Sequence, residues 1–289
     1  MTQPAESRRL LPCPGVCELF GMSSRVPATV RFSLEELTRR GGRTGPHRDG
    51  WGVAHFMDGD VRLIKEPEAA ADSACVRFVQ DHPFRATMAI SHIRLATQGA
   101  KVLRNVQPFV RELGGKMHVF AHNGNLEANG LRTGLDLGRA RPVGETDSEY
   151  AFCALLARLE GLWRGGDVPS IAARVGVLSE FAAQLRGLGP ANFLYADGDA
   201  VFAHGHARSH GAEGIRPPGL HLLCRSCNAE SLPEDRAGGV SVESTDVEQR
   251  VVLFASVPLT AEAGWQPLGT GEIVVAQAGS VVQRHTPVR

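Results

Sequence analysis

The feature that most narrows the folds open to this chain is a pair of helical periods set between two groups of strand-like runs. Over residues 147–159, apolar Ala151, Ala154, Leu155 and Leu159 share one helix face, and Thr146 with Glu149 has the Ser/Thr-x-x-Glu spacing of a capping box. A second helix over 170–188 keeps Ile171, Val175, Leu178, Phe181, Ala182 and Leu185 in helical period. Ahead of this pair lie strand-like runs at 52–56, 61–65, 87–93 and 117–121; behind it lie runs at 192–196, 201–204, 220–224, 251–257 and 272–276. Strands, then helices, then strands again lack the regular alternation that builds a parallel sheet. They predict a layered α+β domain with antiparallel sheets. The polar, Gly/Pro-rich segments 206–218 and 228–247 read as surface loops.

Composition removes several function classes. Lys+Arg and Asp+Glu are both 31, so no charge block invites a polyanion, and nucleic acid is not an expected partner. Apolar runs such as 251–255 fall far short of the roughly 20 residues of a membrane helix, so no membrane association is expected. Arg8 and Arg9 precede Leu10 and Leu11 in the manner of a secretion signal, but Pro12 and Pro14 cut the apolar segment below the roughly 7–15 residues such a signal needs. The six cysteines, at 13, 17, 75, 153, 224 and 227, are too scattered for a disulfide framework. A reducing cytoplasm suits them better.

Three polar clusters stand where strands or helices end, the places where a scaffold presents reactive groups: 92–99 (HIRLATQG), 121–125 (AHNGN) and 144–149 (GETDSE). An Asn side-chain amide followed by a glycine N–H can supply a pair of donors for a developing oxyanion. An arginine offers a planar fork for a carboxylate, and an aspartate in the first turn of a helix suits an ammonium group. Each cluster also has a plainer reading: Asn-Gly as a hairpin turn, Thr146 and Asp147 as a helix cap, Arg94 as an ordinary ion-pair partner.

Taken with GVCELFGM around Cys17 and the loop GGRTGPHRDGWG over 41–52, these clusters fall in the order and spacing of a known family. The chain resembles the class II glutamine amidotransferases, members of the N-terminal nucleophile hydrolases, in detail from Cys17 to about residue 152 and more loosely to about residue 265. It is most similar to the stand-alone members, in which no synthase domain is fused. The resemblance implies a four-layer αββα Ntn-hydrolase sandwich of two antiparallel sheets flanked by helices, occupying 17–289. It also implies roles for particular residues. Cys17 would be the nucleophile and, as the first residue of the mature chain, would use its own α-amino group as base. Asn123 (side-chain amide) and Gly124 (backbone N–H) would hold the oxyanion. Arg94 would bind the substrate α-carboxylate, Asp147 the α-ammonium, and Thr97 would belong to the same substrate site. No cofactor and no metal is implied.

A Cys17 joined to residue 16 has an amide nitrogen, which cannot take a proton. The resemblance therefore implies that residues 1–16 are an extension, removed by self-cleavage or never translated if synthesis starts at Val16 from a GTG codon read as Met. Where synthase-fused members usually read Trp-Ala-Thr-His-Gly, this chain has Leu95-Ala96-Thr97-Gln98-Gly99. The aromatic and the histidine that cover the site there are absent. Hydrolysis of glutamine or of a γ-glutamyl compound, like that of stand-alone relatives in ergothioneine synthesis or glutathione breakdown, is the expected activity. The alternative is a catalytically silent glutamine-binding or ammonia-supplying subunit of a separate synthase; a synthase or a peptidase is the macromolecular partner to expect. Two rival motifs weigh less. His204, His206, His210, His221, Cys224 and Cys227 cluster in sequence, but a single C-x-x-C is a weak zinc signal. The Gly-rich loop 41–52 lacks the Gly-Lys-Ser/Thr ending of a phosphate loop and reads instead as cover over the site, with Trp51 packed beneath. Cys75 and Cys153 read as inert residues on apolar helix faces.

Overall fold

Neighbouring residues of single strands belong to different cores, and this decides the layering. The computed structural model describes residues 17–30, 49–82, 84–95, 99–228, 242–243, 248–260 and 262–287. Strand β1 (Glu18–Val30) runs through the middle of one antiparallel sheet, with β2 (Trp51–Met57), β3 (Asp60–Glu66) and β4 (Ala86–Ile93) on one side of it. A second sheet contains β5 (Phe109–Leu113), β6 (Lys116–Asn123), β7 (Asn192–Ala196) and β8 (Val201–His204). In β6 and β7, Val119, Ala121, Leu194 and Ala196 join a core shared with Leu19, Ala54 and Ile90 of the first sheet. Their sequence neighbours Phe120, Phe193 and Tyr195 face the other way, into a core built with the helices. The period-2 alternation of strands makes one sheet serve two cores.

The α-helices among the described residues are α1 (Ala74–Asp81), α2 (Ala128–Gly134), α3 (Asp147–Trp163) and α4 (Ile171–Leu188). The last two pack Phe152, Leu155, Leu159, Leu178, Phe181 and Leu185 onto the second sheet. On the far face of the first sheet, Phe20, Met22, Val53 and Leu253 share a third core with Val76 of α1. Helix, sheet, sheet, helix is the four-layer αββα order. Two short strands, β9 (Arg208–Ser209) and β10 (Ile215–Arg216), form a separate pair. The first sheet is completed by β11 (His221–Asn228), β12 (Val242–Glu243), β13 (Glu248–Ala255) and β14 (Gln266–Pro267), in the order β14-β11-β13-β1-β4-β2-β3 with β12 also on β1. The second gains β15 (Ile273–Gln277) and β16 (Ser280–His285), in the order β16-β15-β8-β7-β6-β5. Among the described residues every strand pairing is antiparallel.

The elements expected from sequence are present, with corrected ends. The run at 220–224 is the start of β11, which continues to Asn228, and the run at 251–257 is β13, which begins at Glu248. Segment 206–218, expected as loop, carries β9 and β10, and within 228–247 residues Val242 and Glu243 pair with β1. The loop 41–52 lies outside the described residues up to residue 48. Trp51 beside it is buried and donates to Glu66 Oε2 at 3.2 Å. Both helix starts follow the capping rule, with Thr146 Oγ1 accepting from Glu149 N at 3.2 Å and Ser170 Oγ from Ala173 N at 3.2 Å. Glu149 does not close a capping box. Its carboxylate instead accepts from Val143 N and Gly144 N, and pairs with Arg111.

Phe193 is the ring on which the helix-side core centres, touching Phe120, Phe181 and His204 with ring centroids at 5.5, 5.9 and 4.8 Å. Phe193→Ala leaves a cavity between β7 and α4 and is expected to cost about 3–5 kcal/mol of stability in chemical denaturation.

Candidate active site

Antiparallel pairing of β1 with β4 sets Glu18 opposite Ile93, so the residues just outside the ladder, Cys17 and Arg94, lie side by side at one end of the sheet. The backbone there is tied down. Arg94 N donates to Gly50 O at 2.8 Å, and Leu95 N points at Cys17 Sγ, 3.2 Å away. Cys17 Sγ in turn lies 3.3 Å from Leu95 O. Strand β6 of the second sheet ends at the same place with Asn123, whose Nδ2 donates to Cys17 O and, at 3.1 Å, to Ser256 Oγ. Helix α3 brings Asp147 in from its first turn.

Four of the residues singled out from sequence, Cys17, Arg94, Asn123 and Asp147, thus converge, with Gly124 adjoining Asn123. Thr97, also expected there, lies outside the described residues, as do residues 1–16. The charges of Arg94 and Asp147 both act on the Cys17 thiol, in opposite directions. Loss of solvation outweighs them, and the thiol pKa rises from 9.0 to about 11. In this chain, with residue 16 still joined, Cys17 is a neutral thiol.

Arg94 is almost fully buried and donates to three backbone carbonyls: Nη1 to Asp49 O at 3.3 Å and Ala100 O at 3.2 Å, Nη2 to Gly99 O at 3.1 Å. Burial lowers its pKa, while Cys17, Asp49 and Asp147 oppose that change. Asp147 Oδ2 accepts from Leu126 N and Oδ1 from Ser148 N, both at 2.8 Å, which fixes the carboxylate at the helix start. Ser148 Oγ lies 2.9 Å from His122 Nδ1 and 3.3 Å from Asp147 Oδ1. The His122 Nε2–H donates to Pro190 O at 3.2 Å, and burial lowers the pKa of this imidazole.

Gly124 has no room for a side chain, because a Cβ there would strike the carbonyl of Pro190 and approach His122 Nε2 at 2.8 Å. The plain hairpin-turn reading of Asn123-Gly124 therefore fails: this glycine is dictated by close approach of two segments. Asn123 is fully buried, both amide hydrogens are committed within the protein, and its Oδ1 has no partner among the described residues. To serve an oxyanion, one of those hydrogens has to change acceptor.

Three residues that sequence reasoning passed over hold these groups. Ser256 Oγ accepts from Leu19 N at 2.9 Å as well as from Asn123. Asn192 Nδ2 donates to Asn123 O at 3.1 Å. Gln107 exchanges two hydrogen bonds with the backbone of His122, at 2.7 and 3.2 Å. None has a local sequence signature. Two of the histidines weighed as metal ligands are held by the backbone: His204 Nδ1 meets Ala191 O at 2.6 Å, and His206 Nδ1 accepts from Ala191 N at 3.2 Å. Among the described residues no group of three His, Cys, Asp or Glu side chains is placed to hold a metal ion, and no helix is long and apolar enough to cross a membrane.

Known proteins resemble this chain in sequence and in fold. A sequence profile described as Glutamine amidotransferases class-II matches residues 16–288. YafJ of Escherichia coli K12, named as a glutamine amidotransferase, is 38% identical over 258 residues, covering 89% of this chain and 96% of that protein. A Haemophilus influenzae protein of the same description is 30% identical over 267 residues, covering 92% and 86%. The crystal structure of a Pseudomonas aeruginosa PA01 protein, also named as a glutamine amidotransferase, superposes with a TM-score of 0.65 at 31% identity, covering 92% of this chain and all of that one. A phosphoribosylpyrophosphate amidotransferase from Bacillus subtilis shares the fold at 16% identity and a TM-score of 0.57, over 93% of this chain and 49% of its own. The chain belongs to the class II glutamine amidotransferases and carries their Ntn-hydrolase fold.

Proposed function

We infer that this protein hydrolyses the γ-glutamyl amide bond of glutamine or of a γ-glutamyl compound, with Cys17 as nucleophile at the head of a mature chain. The observation that carries the reading is the meeting of Cys17, Arg94, Asn123 and Asp147 at one end of the two sheets. The buried Arg94 cation takes the substrate α-carboxylate and the fixed Asp147 carboxylate takes the α-ammonium. The two charges are presented together, as an amino acid head requires.

The chemistry follows from the groups present. Freed of residues 1–16, the Cys17 α-amine, whose ordinary pKa is about 7.7–8.0, stands beside the S–H as a base and takes its proton as the sulfur attacks. The thiolate forms an S–C bond to the γ-carbonyl carbon, and the carbonyl electron pair moves to oxygen. Asn123 Nδ2–H and Gly124 N–H steady that oxyanion. The C–N bond then breaks, the leaving nitrogen takes the proton from the α-ammonium, and ammonia or an amine departs. Water adds to the thioester, passing its proton to the amine, and the C–S bond breaks to return the thiol and glutamate. Thr97 belongs to this site on the family resemblance. Leu95 and Gln98, standing where an aromatic and a histidine cover the site in synthase-fused members, favour hydrolysis over transfer to a fused acceptor. A separate synthase or peptidase is then the partner for the released product, in a reducing cytoplasm that keeps Cys17 as a thiol.

The test is release of glutamate and ammonia from glutamine and from γ-glutamyl peptides. Cys17→Ala is expected to remove it, by at least about a thousandfold. Gly124→Ala, which displaces the Pro190 carbonyl and with it the Asn123 backbone, lowers the rate about a hundredfold while Cys17 remains present. A third outcome concerns acidity. In protein that retains residues 1–16, alkylation of Cys17 followed against pH has its midpoint near 11, and in protein that begins at Cys17 the midpoint falls toward neutrality. The same midpoint in the two forms contradicts the role given to the terminal amine.

A further inference from the structure

We propose that Asn105 is a positioning residue that locks the Arg94 and Asp147 halves of the substrate-head site into one unit. The proposal rests on the reading of those two residues given above and extends it to a residue that touches neither substrate nor sulfur.

Asn105 ends a single turn of tight helix, Leu103–Asn105, and is fully buried. Its amide faces two chain segments at once. Nδ2 donates to Ala100 O at 2.9 Å on one side and to Glu145 Oε2 at 2.7 Å on the other, and Oδ1 accepts from Glu145 N at 3.0 Å. Ala100 O is the same carbonyl that receives Arg94 Nη1, at 3.2 Å. Glu145 is two residues ahead of Asp147, separated from it only by the helix cap Thr146. One side chain therefore joins the carbonyl that holds the guanidinium to the segment that opens α3. Two glycines make the approach feasible. Gly99 has φ +76°, and a Cβ on it would come within 2.9 Å of the Asn105 amide; Gly144 leaves no space for a Cβ against Asn105 Oδ1. Asparagine alone among side chains of this size offers two donors and an acceptor on one planar group.

Aspartate has the same shape but replaces both donors with lone pairs, set against the Ala100 carbonyl and the Glu145 carboxylate. Asn105→Asp is therefore expected to separate the two halves without opening a cavity. Two readouts distinguish this from general damage. Binding of L-glutamate, which needs both halves, weakens about tenfold, while alkylation of Cys17 by iodoacetamide, which carries no head groups, stays within about twofold of the parent rate. Equal losses in both, or an unchanged glutamate affinity, overturn the proposal. Arg94→Lys and Asp147→Asn are measured alongside. If they leave glutamate binding intact, the underlying head-site reading fails. If they weaken it and Asn105→Asp does not, the positioning role alone fails. Should Asn105→Asp not fold, the half-exposed Glu145 decides: Glu145→Ala weakens glutamate binding about threefold and Glu145→Gln, which keeps an acceptor for Asn105, does not. Indifference to both changes overturns the proposal.

Discussion

The register of β1 against β4 is the constraint on which the rest depends. With Glu18 opposite Ile93, the two strands end together, and Cys17 meets Leu95 and Arg94 across the last rung. A slip of one residue would exchange the faces of β1, turning Leu19 out of the inter-sheet core and Phe20 into it. Both faces of β1 are packed, so the cores themselves enforce the pairing that puts sulfur beside arginine. The second sheet is locked to the same end by Asn123, which bonds the Cys17 carbonyl, and by Ser256, which takes a hydrogen bond from each sheet.

What the sheets assemble is a poor place for a charge without company. Burial raises the Cys17 thiol, lowers Arg94 and lowers His122, in each case by penalising the ionised form. The fixed dipoles, the carbonyls around Arg94 and the N–H groups on Asp147, hold each charged group in one geometry before any substrate arrives. Such an enclosure favours a ligand that brings both signs of charge and leaves the thiol needing a nearby base. The free amine of a chain that starts at Cys17 answers that need. An amide nitrogen at the same place does not.

Helices α3 and α4 and most of the longer strands were legible in sequence from their apolar periods, β-rich runs and flanking turn residues. Helix α3 was visible from its leucines and its cap, and β7 and β8 appeared with their observed limits. The misses have physical reasons. β1 is largely buried, like β7, but Gly21, Ser23, Ser24 and Pro27 interrupt its apolar run; Pro27 falls where the register with β4 shifts. α2 contains two glycines in seven residues. β16 is a partly exposed edge strand. At the site, the residues readable from sequence were those in contiguous motifs. Ser256 and Asn192 act through partners distant in the chain, Asn105 ties nearby Ala100 to the distant Glu145, and no motif marks any of the three.

The central claim, a sulfur and a terminal amine of one residue acting on a glutamine-shaped substrate, is tested most directly by covalent trapping. A γ-diazoketone analogue of glutamine, incubated with active protein and followed by peptide mass spectrometry, should yield one label, on the sulfur of a peptide whose first residue is Cys17. A label on another residue, or on Cys17 within a chain that still carries residues 1–16, would contradict the account.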